Sequence, residues 1–136
     1  MFFRITGDSN EESGVSDVIY ELSGPTRKHF EARDYGAGMH GLGVVLICRN
    51  PALNFKRRLR FSKNDKMLYM DVMLDLVQMR DAQHQDRKRV VIERLAEEIP
   101  IILRKYAFPE FDETRFMKDL KSWLTEIGSP PHVTTQ

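Results

Sequence analysis

The chain has 136 residues, of which 41% are hydrophobic and 30% charged, and its formal net charge is +1. This length and composition predict one soluble globular domain that can bury a stable core without disulfide staples. The small net charge argues against wholesale nucleic-acid binding.

The cysteine count and the hydropathy of the chain indicate the cellular compartment in which the protein is expected. Cys48 is the only cysteine, so an intramolecular disulfide is excluded, and a reducing environment fits. Its setting in the run VVLIC favours a small buried apolar side chain over a reactive thiol. The N-terminal apolar run is too short for a signal peptide, and no window approaches the ~20 apolar residues of a membrane span. We therefore expect a cytoplasmic protein without a membrane partner.

The first third of the chain has the patterns of short strands. Phe2–Thr6 is β-rich, and Val15–Leu22 places Val18, Tyr20 and Leu22 in alternation. Ser23–Thr26 has the composition of a turn, and Arg27–Tyr35 alternates again. These patterns predict strands over Val15–Leu22 and Arg27–Tyr35, joined by a turn.

A glycine-rich segment, YGAGMHGLGVVL, follows at residues 35–46, with the spacing G-x-G-x-x-G-x-G. Loops that bind nucleotide phosphates have this spacing, but a dinucleotide loop must lead into a helix whose N-terminus receives the phosphate. Here Leu42–Cys48 follows, and it is apolar on both faces, as a central strand is. We predict a hairpin turn or bulge whose glycines take positive φ. Whether Met39 and His40 face a partner or fold over the sheet edge stays open.

A β-hairpin is predicted from Phe55–Ser62 and Met67–Leu74, with Asn64 and Asp65 as the two loop residues. That register places Phe61 opposite Leu68 and Leu59 opposite Met70 on an apolar face. Arg60 then faces Tyr69, and Arg58 faces Asp71, on the other face. The pairing gives both strands a consistent inside and outside, whereas a slip by one residue would not.

The last third is helical. Val91, Leu95, Ile99, Ile102 and Tyr106 recur at helical steps after Asp86, and Pro100 predicts a kink or a break among them. A second helix begins at Asp112, a suitable N-cap, with Phe111 and Phe116 at the hydrophobic-staple positions. Gly128 ends it.

The predicted fold class is α+β, with an antiparallel sheet of about five to six strands in the N-terminal part and two C-terminal helices packed on one face. The predicted domain covers residues 1–128, and residues 129–136 form a flexible tail.

No catalytic, cofactor-binding or metal-binding residue is predicted. The four histidines are His29, His40, His84 and His132, and no two have the spacing of a metal pair. Motifs for a nucleophile elbow or a kinase are missing as well. We therefore predict that the protein is not an enzyme and needs no cofactor.

Two charged segments are candidate partner-binding surfaces, and they compete. The first is acidic and would suit a basic partner such as a nuclease; its residues are Asp8, Glu11, Glu12, Asp17 and Glu21. The second is one face of the basic hairpin, because arginine and tyrosine are enriched at binding hot spots; its residues are Arg58, Arg60, Tyr69 and Asp71.

The sequences FKRRLRFSKNDKMLYMDVMLDL, RKRVVIERLAEEIPIILRKY and FDETRFMKDLKSWL carry a family resemblance. Over roughly Leu42 to Ile127 the chain resembles the small immunity proteins of bacterial polymorphic toxin systems, including those of contact-dependent growth inhibition. The resemblance implies a non-enzymatic cytoplasmic protein that binds and blocks the C-terminal domain of a cognate toxin. It carries no motif of functional residues, so it assigns no contacts.

An alternative from a different class is an accessory protein that binds single-stranded nucleic acid through the basic hairpin face of Lys56–Lys66. Basic side chains beside an aromatic ring on a sheet can bind single strands, although the aromatic strand motifs of the RNA-recognition fold are missing. A homodimer is compatible with the sequence.

Overall fold

The computed structural model describes residues 1–7, 14–50, 52 and 56–129. Four strands and four helices follow one another in these residues: β1 (Phe2–Gly7), α1 (Val15–Glu31), β2 (Gly41–Arg49), β3 (Leu59–Ser62), β4 (Met67–Asp75), α2 (Leu76–Asp81), α3 (His84–Tyr106) and α4 (Glu113–Gly128). The α+β class is confirmed at this level. Most of the tail predicted for residues 129–136 lies outside the described residues.

Helix α1 replaces the two strands and the turn predicted between Val15 and Tyr35. Its buried residues are Val15, Val18, Leu22, Thr26 and Phe30, at steps of three, four, four and four. That is the period of a helix, and it becomes apparent only over the full 17 residues. Pro25 lies inside α1. It removes one backbone hydrogen bond, so the burial of Leu22 and Phe30 on either side must offset that loss.

The sheet is mixed and mostly parallel, which corrects the prediction of five to six antiparallel strands. Its strand order is β1-β2-β4-β3. β1 pairs with β2 in parallel, β2 pairs with β4 in parallel, and only β3 and β4 are antiparallel. The helical α1 accounts for the first parallel pair, since a helix between β1 and β2 forms a crossover that returns the chain in the same direction. β2 and β4 are parallel because β3, the antiparallel strand between them in the chain, lies on the far side of β4.

The β3–β4 hairpin has the predicted register. Leu59 pairs with Met70, Arg60 with Tyr69 and Phe61 with Leu68. Among the described residues, the first strand of the hairpin begins at Leu59 rather than at Phe55. The central position predicted for Leu42–Cys48 is also confirmed, because β2 lies between β1 and β4.

Alternate strand residues on one face of the sheet form the core with the helices. The ten strand residues in this cluster are Phe3, Ile5, Leu42, Val44, Leu46, Cys48, Leu68, Met70, Val72 and Leu74. Phe116 of α4 and Phe30 of α1 both contact Phe3, with ring centroids 6.2 and 5.2 Å away. The helices therefore share one face of the sheet.

The helices after the sheet number three in the described residues, one more than predicted. Asp75 caps α2 by accepting hydrogen bonds from the backbone N–H groups of Val77 and Gln78. Helix α3 continues through Pro100, so the predicted break does not occur, and the buried Ile99 and Ile102 offset the missing hydrogen bond.

Helix α4 begins as predicted. The Asp112 carboxylate accepts a hydrogen bond of 3.1 Å from the Arg115 N–H. The rings of Phe111 and Phe116 are 5.7 Å apart across the staple. Both signals are local, which is why the sequence alone is sufficient to find them.

Candidate functional site

The sheet face opposite the core, called the outer face below, is a regular array of side chains. Strand residues alternate between the two faces, so the neighbours of the core residues point outward. Register across β1, β2, β4 and β3 aligns them in three rows: Phe2, Gly41, Met67 and Ser62; then Arg4, Gly43, Tyr69 and Arg60; then Thr6, Val45, Asp71 and Arg58. The N–H of Asp71 donates to the Arg58 carbonyl at 3.0 Å, which extends the pairing to the third row.

Glycines give the centre of the outer face a low profile. A Cβ atom on Gly43 would lie 2.8 Å from Tyr69 Cδ1, and one on Gly41 would overlap the Met67 sulfur. The Tyr69 and Met67 side chains therefore lie over positions that have no side chain of their own. Two glycines spaced by two residues on one strand share a face, which is what the G-x-G spacing provides here.

Basic side chains border this centre. The Arg60 guanidinium is 5.1 Å from the centroid of the Tyr69 ring, within cation–π range. Arg58 Nε is 3.5 Å from Asp71 Oδ2, and the Arg58 backbone N–H donates to the same oxygen at 3.0 Å. The Arg58 side chain is nevertheless 82% exposed, whereas Asp71 is buried. A groove of about 830 Å³ runs past these side chains, between Val45 and Lys56.

An ion-pair network joins the basic segment, Lys56 to Arg58, to helix α3. Arg57 Nη1 is 2.5 Å from Glu98 Oε2, and Arg94 Nη2 is 2.6 Å from the other Glu98 oxygen. Burial of Glu98 disfavours its charged form, but hydrogen bonds from Arg57 and Arg94 outweigh this effect and lower its pKa. These ion pairs therefore hold the segment that precedes β3 against α3. They limit the movement of the backbone that carries the neighbouring exposed side chains.

The structure brings one predicted surface together and divides the other. Arg60, Tyr69 and Asp71 lie on adjacent strands of the outer face, and Arg58 directly precedes β3. Arg60 contacts the Tyr69 ring and Arg58 pairs with Asp71, the residues that the predicted register places opposite them. Asp17 and Glu21 lie on α1 rather than on a strand or loop. Asp8, Glu11 and Glu12 fall outside the described residues. Glu21 is already engaged, since its carboxylate is 2.6 Å from His84 Nε2 and 3.6 Å from Lys88 Nζ.

Sequence reasoning missed two contributors to the outer face, Arg4 and Gly43. Arg4 is exposed between the buried Phe3 and Ile5, an alternation that was visible in the short strand. Gly43 lies in the strand predicted over Leu42–Cys48, but its place opposite both Arg4 and Tyr69 depends on the parallel pairing of β2 with β1 and β4, which the sequence did not predict. Tyr20, which is 87% exposed on α1, was also overlooked because the segment was interpreted as a strand.

The first half of the glycine segment packs against the loop before α4. Gly36 has a φ of +104°, and a Cβ on Gly36 or Gly38 would overlap a backbone carbonyl of that loop. The Gly38 N–H donates to the Glu110 carbonyl at 3.3 Å. Met39 is buried at 2% exposure, whereas His40 is exposed. This segment connects α1 to β2, so the predicted hairpin turn is wrong, and the Gly38 N–H serves the fold.

A polar cluster holds the start of this segment to α4. The Tyr35 hydroxyl donates to Asp119 Oδ2 at 2.6 Å, and Arg33 Nη1 donates to the same oxygen at 3.1 Å. The hydrogen bond from Tyr35 is the largest influence that lowers the pKa of Asp119. Burial, followed by the hydrogen bond to Asp119, raises the pKa of the Tyr35 phenol. Asp119 therefore stays ionised at neutral pH and fixes the loop.

The described residues hold neither a cluster of metal-ligating side chains nor a membrane-spanning helix. Across residues 1–7, 14–50, 52 and 56–129, three or more His, Cys, Asp or Glu side chains are nowhere grouped to hold a metal ion. Within the same part of the chain, the helices are too short or too polar to cross a membrane.

Comparison with models of protein families assigns the chain to a family. The model of a family described as Immunity protein 44 matches residues 1–126. The chain belongs to the Immunity protein 44 family. The match includes every strand and helix α1 to α3, so all of the outer face lies within it. The family resemblance drawn from the sequence is confirmed, and it extends further toward the N-terminus than Leu42. No curated protein and no solved structure matches the chain.

Membership of this family supports a toxin-neutralising function and implies a toxin as the partner of the chain. The family gives the class of partner without naming a surface.

Proposed function

We propose that this member of the Immunity protein 44 family neutralises its cognate toxin by binding the toxin's C-terminal domain and occluding the active site, with no catalysis of its own. The observation that carries the proposal is the outer face, where Arg60 and Tyr69 stand on paired strands and Arg58 stands directly before β3, with its backbone N–H bonded to Asp71. Arginine and tyrosine dominate binding hot spots, and strands position them more accurately than loops do.

The size of the outer face makes it the centre of an interface rather than the whole. Four strands spaced ~4.8 Å apart, over five residues of strand, give a patch of roughly 200 Å². A stable complex buries about 800 Å² on each partner. The toxin would therefore extend beyond the outer face, onto the basic segment from Lys56 to Arg58 and the groove beside it.

The acidic segment stays a second, competing proposal for the toxin contact. Asp17 is exposed in the first turn of α1. Glu21 is a weaker candidate because binding would compete with His84 and Lys88 for its carboxylate. For these reasons we favour the outer face over the acidic segment.

We further propose that the protein acts in the cytoplasm, as part of a contact-dependent growth inhibition system or another polymorphic toxin system. The family membership supports this proposal, because an immunity protein has to meet its toxin in the compartment where that toxin acts. A nuclease is one class of toxin that fits.

Co-expression tests the proposed function. The chain is expressed with the toxin domain encoded beside its gene, and cell survival is measured together with co-elution on size exclusion. We expect survival and a stoichiometric complex. A toxin variant with its catalytic residue replaced serves as the control, because it should still form the complex. Cell death despite soluble expression of the chain, with no complex, would contradict the proposal.

Single-stranded nucleic-acid binding is the alternative that the basic segment favours. Lys56, Arg58 and Arg60 line the same groove as Tyr69. This alternative predicts binding to an oligo-dT strand that weakens steeply with salt and with Arg58→Ala. Fluorescence anisotropy at low salt measures it. Absence of binding to the labelled strand at low salt would exclude this function.

A further inference from the structure

The outer face indicates the chemistry of the element that binds it. Resting on the proposed function, we infer that the toxin docks through an acidic segment that carries one large apolar side chain between its carboxylates. The apolar side chain lies on the floor formed by Val45 and by the Tyr69 ring, which covers the buried Gly43. The carboxylates pair with Arg4 on one side and with Arg58 and Arg60 on the other.

The spacing of the basic residues comes from strand register. Arg4, Gly43, Tyr69 and Arg60 form one row across β1, β2, β4 and β3. Three strand spacings separate the Cα atoms of Arg4 and Arg60 by roughly 14 Å. Acidic residues on either side of a central residue can therefore pair with both arginines.

The floor between these arginines is suited to an apolar side chain. Gly43 adds no side chain, Val45 is half-buried, and the Tyr69 ring lies against the glycine. The adjacent row continues this surface with Gly41, Met67 and Phe2, and Phe2 is 45% exposed. A ring or branched aliphatic chain laid there removes apolar surface of both partners from water, at roughly 25 cal/mol per Å².

Charge decides which partner fits. Arg4, Arg58 and Arg60 are exposed, and Lys56 stands beside them in the groove. Asp71 is the one acid in the three rows; it is 5% exposed and bonded to Arg58. The uncompensated charge of the face is positive, so it attracts carboxylates.

Other occupants are less well supported. A second copy of the chain, docked face to face, would place arginines against arginines. A nucleic-acid strand would be attracted by the same basic side chains, but membership of the immunity family implies a toxin protein as the partner, so a strand is treated as an outcome of the test. An acidic peptide segment can pair with Arg60 where the side chain stands.

Peptide titration followed by amide chemical shifts tests the inference on the full chain. One 12-residue peptide places a central phenylalanine between aspartates; the others replace that phenylalanine with alanine, or the aspartates with lysines. We expect the first peptide to shift the amides of Gly43, Val45 and Tyr69, and to bind at least about tenfold more tightly than either of the others. Equal binding of all three peptides, or none by the first, would overturn the inference.

Charge reversal provides the second readout, using the toxin domain itself. Arg4→Glu and Arg60→Glu should each weaken the complex at least about tenfold, and more so at low salt. Lys121→Glu is the matched control, because Lys121 is exposed on α4 in the helix layer, and it should leave affinity unchanged.

The outcomes separate this inference from the proposed function. If the unaltered chain binds the toxin and both arginine variants bind equally well, the inference fails while the proposed function stands. If the unaltered chain does not bind the toxin, the proposed function fails, whatever the peptides do. A dT 12-mer that binds more tightly than the acidic peptide, or a dimer that Arg60→Glu strengthens in sedimentation, would also overturn the inference.

Discussion

At the scale of single residues, glycines carry much of the specific geometry, and each does so for a different reason. Gly36 supplies a positive φ, Gly38 lets the chain pass against the carbonyl of Pro109, and Gly43 makes room for the Tyr69 ring. A side chain at any of these positions meets an atom that is already there. The phosphate-loop spacing is therefore explained by packing on two different surfaces.

Gly38→Ala should lower the free energy of unfolding by about 1–3 kcal/mol, because the new Cβ would overlap the backbone carbonyl of Pro109 and force the loop to move. Urea denaturation followed by the fluorescence of Trp123, the single tryptophan, measures this. Gly24→Ala is the control: a Cβ at Gly24 has no atom within 4 Å, so we expect a change below about 1 kcal/mol. Equal effects of the two substitutions would contradict the packing explanation.

At the scale of elements, the polar cluster of Tyr35, Arg33 and Asp119 joins the α1–β2 connection to α4. The pKa of Asp119 is lowered in the folded protein, chiefly by the Tyr35 hydroxyl. A depressed carboxyl pKa contributes stability that is present above the unfolded pKa of about 3.9, and this stability is lost as the pH falls through the folded pKa.

Tyr35→Phe should raise the pKa of Asp119 and make the protein less stable at neutral pH, by an amount that shrinks toward zero as the pH falls below about 4. Carboxyl NMR titration and thermal melts between neutral and acid pH measure the two effects. Tyr20→Phe is the matched control, because Tyr20 is 87% exposed. If the stability difference stays constant down to acid pH, the hydroxyl does not act through Asp119.

At the scale of the whole molecule, the sheet has a stable centre and weaker edges. β2 and β4 each pair on both sides, whereas β3 is a four-residue strand at one edge. Native-state hydrogen exchange should be slowest in β2 and β4 and fastest in β3. Exchange in β3 as slow as in β2 would mean that further contacts protect this edge. Toxin binding at the outer face should slow exchange in β3 most.

Local signals in the sequence predicted much of this protein correctly. The β3–β4 register follows from a two-residue loop and two alternating strands, and the α4 start follows from Asp112 and its staple. Those features depend on residues close in the chain. The Arg58, Arg60, Tyr69 and Asp71 cluster could be predicted for the same reason, since all four residues belong to one hairpin.

Only the tertiary structure decided which residues far apart in the chain come together in space. The alternation over the eight residues Val15–Leu22 resembles that of a strand. Burial against the sheet instead favours the helical period that runs through the whole of α1. Because a helix then joins β1 to β2, these two strands pair in parallel. That parallel pairing carries Arg4 to the row of Gly43, Tyr69 and Arg60. Sequence by itself determined the family, the hairpin and the last helix. The outer face as a complete surface depended on non-local strand pairing, which no short window of residues encodes.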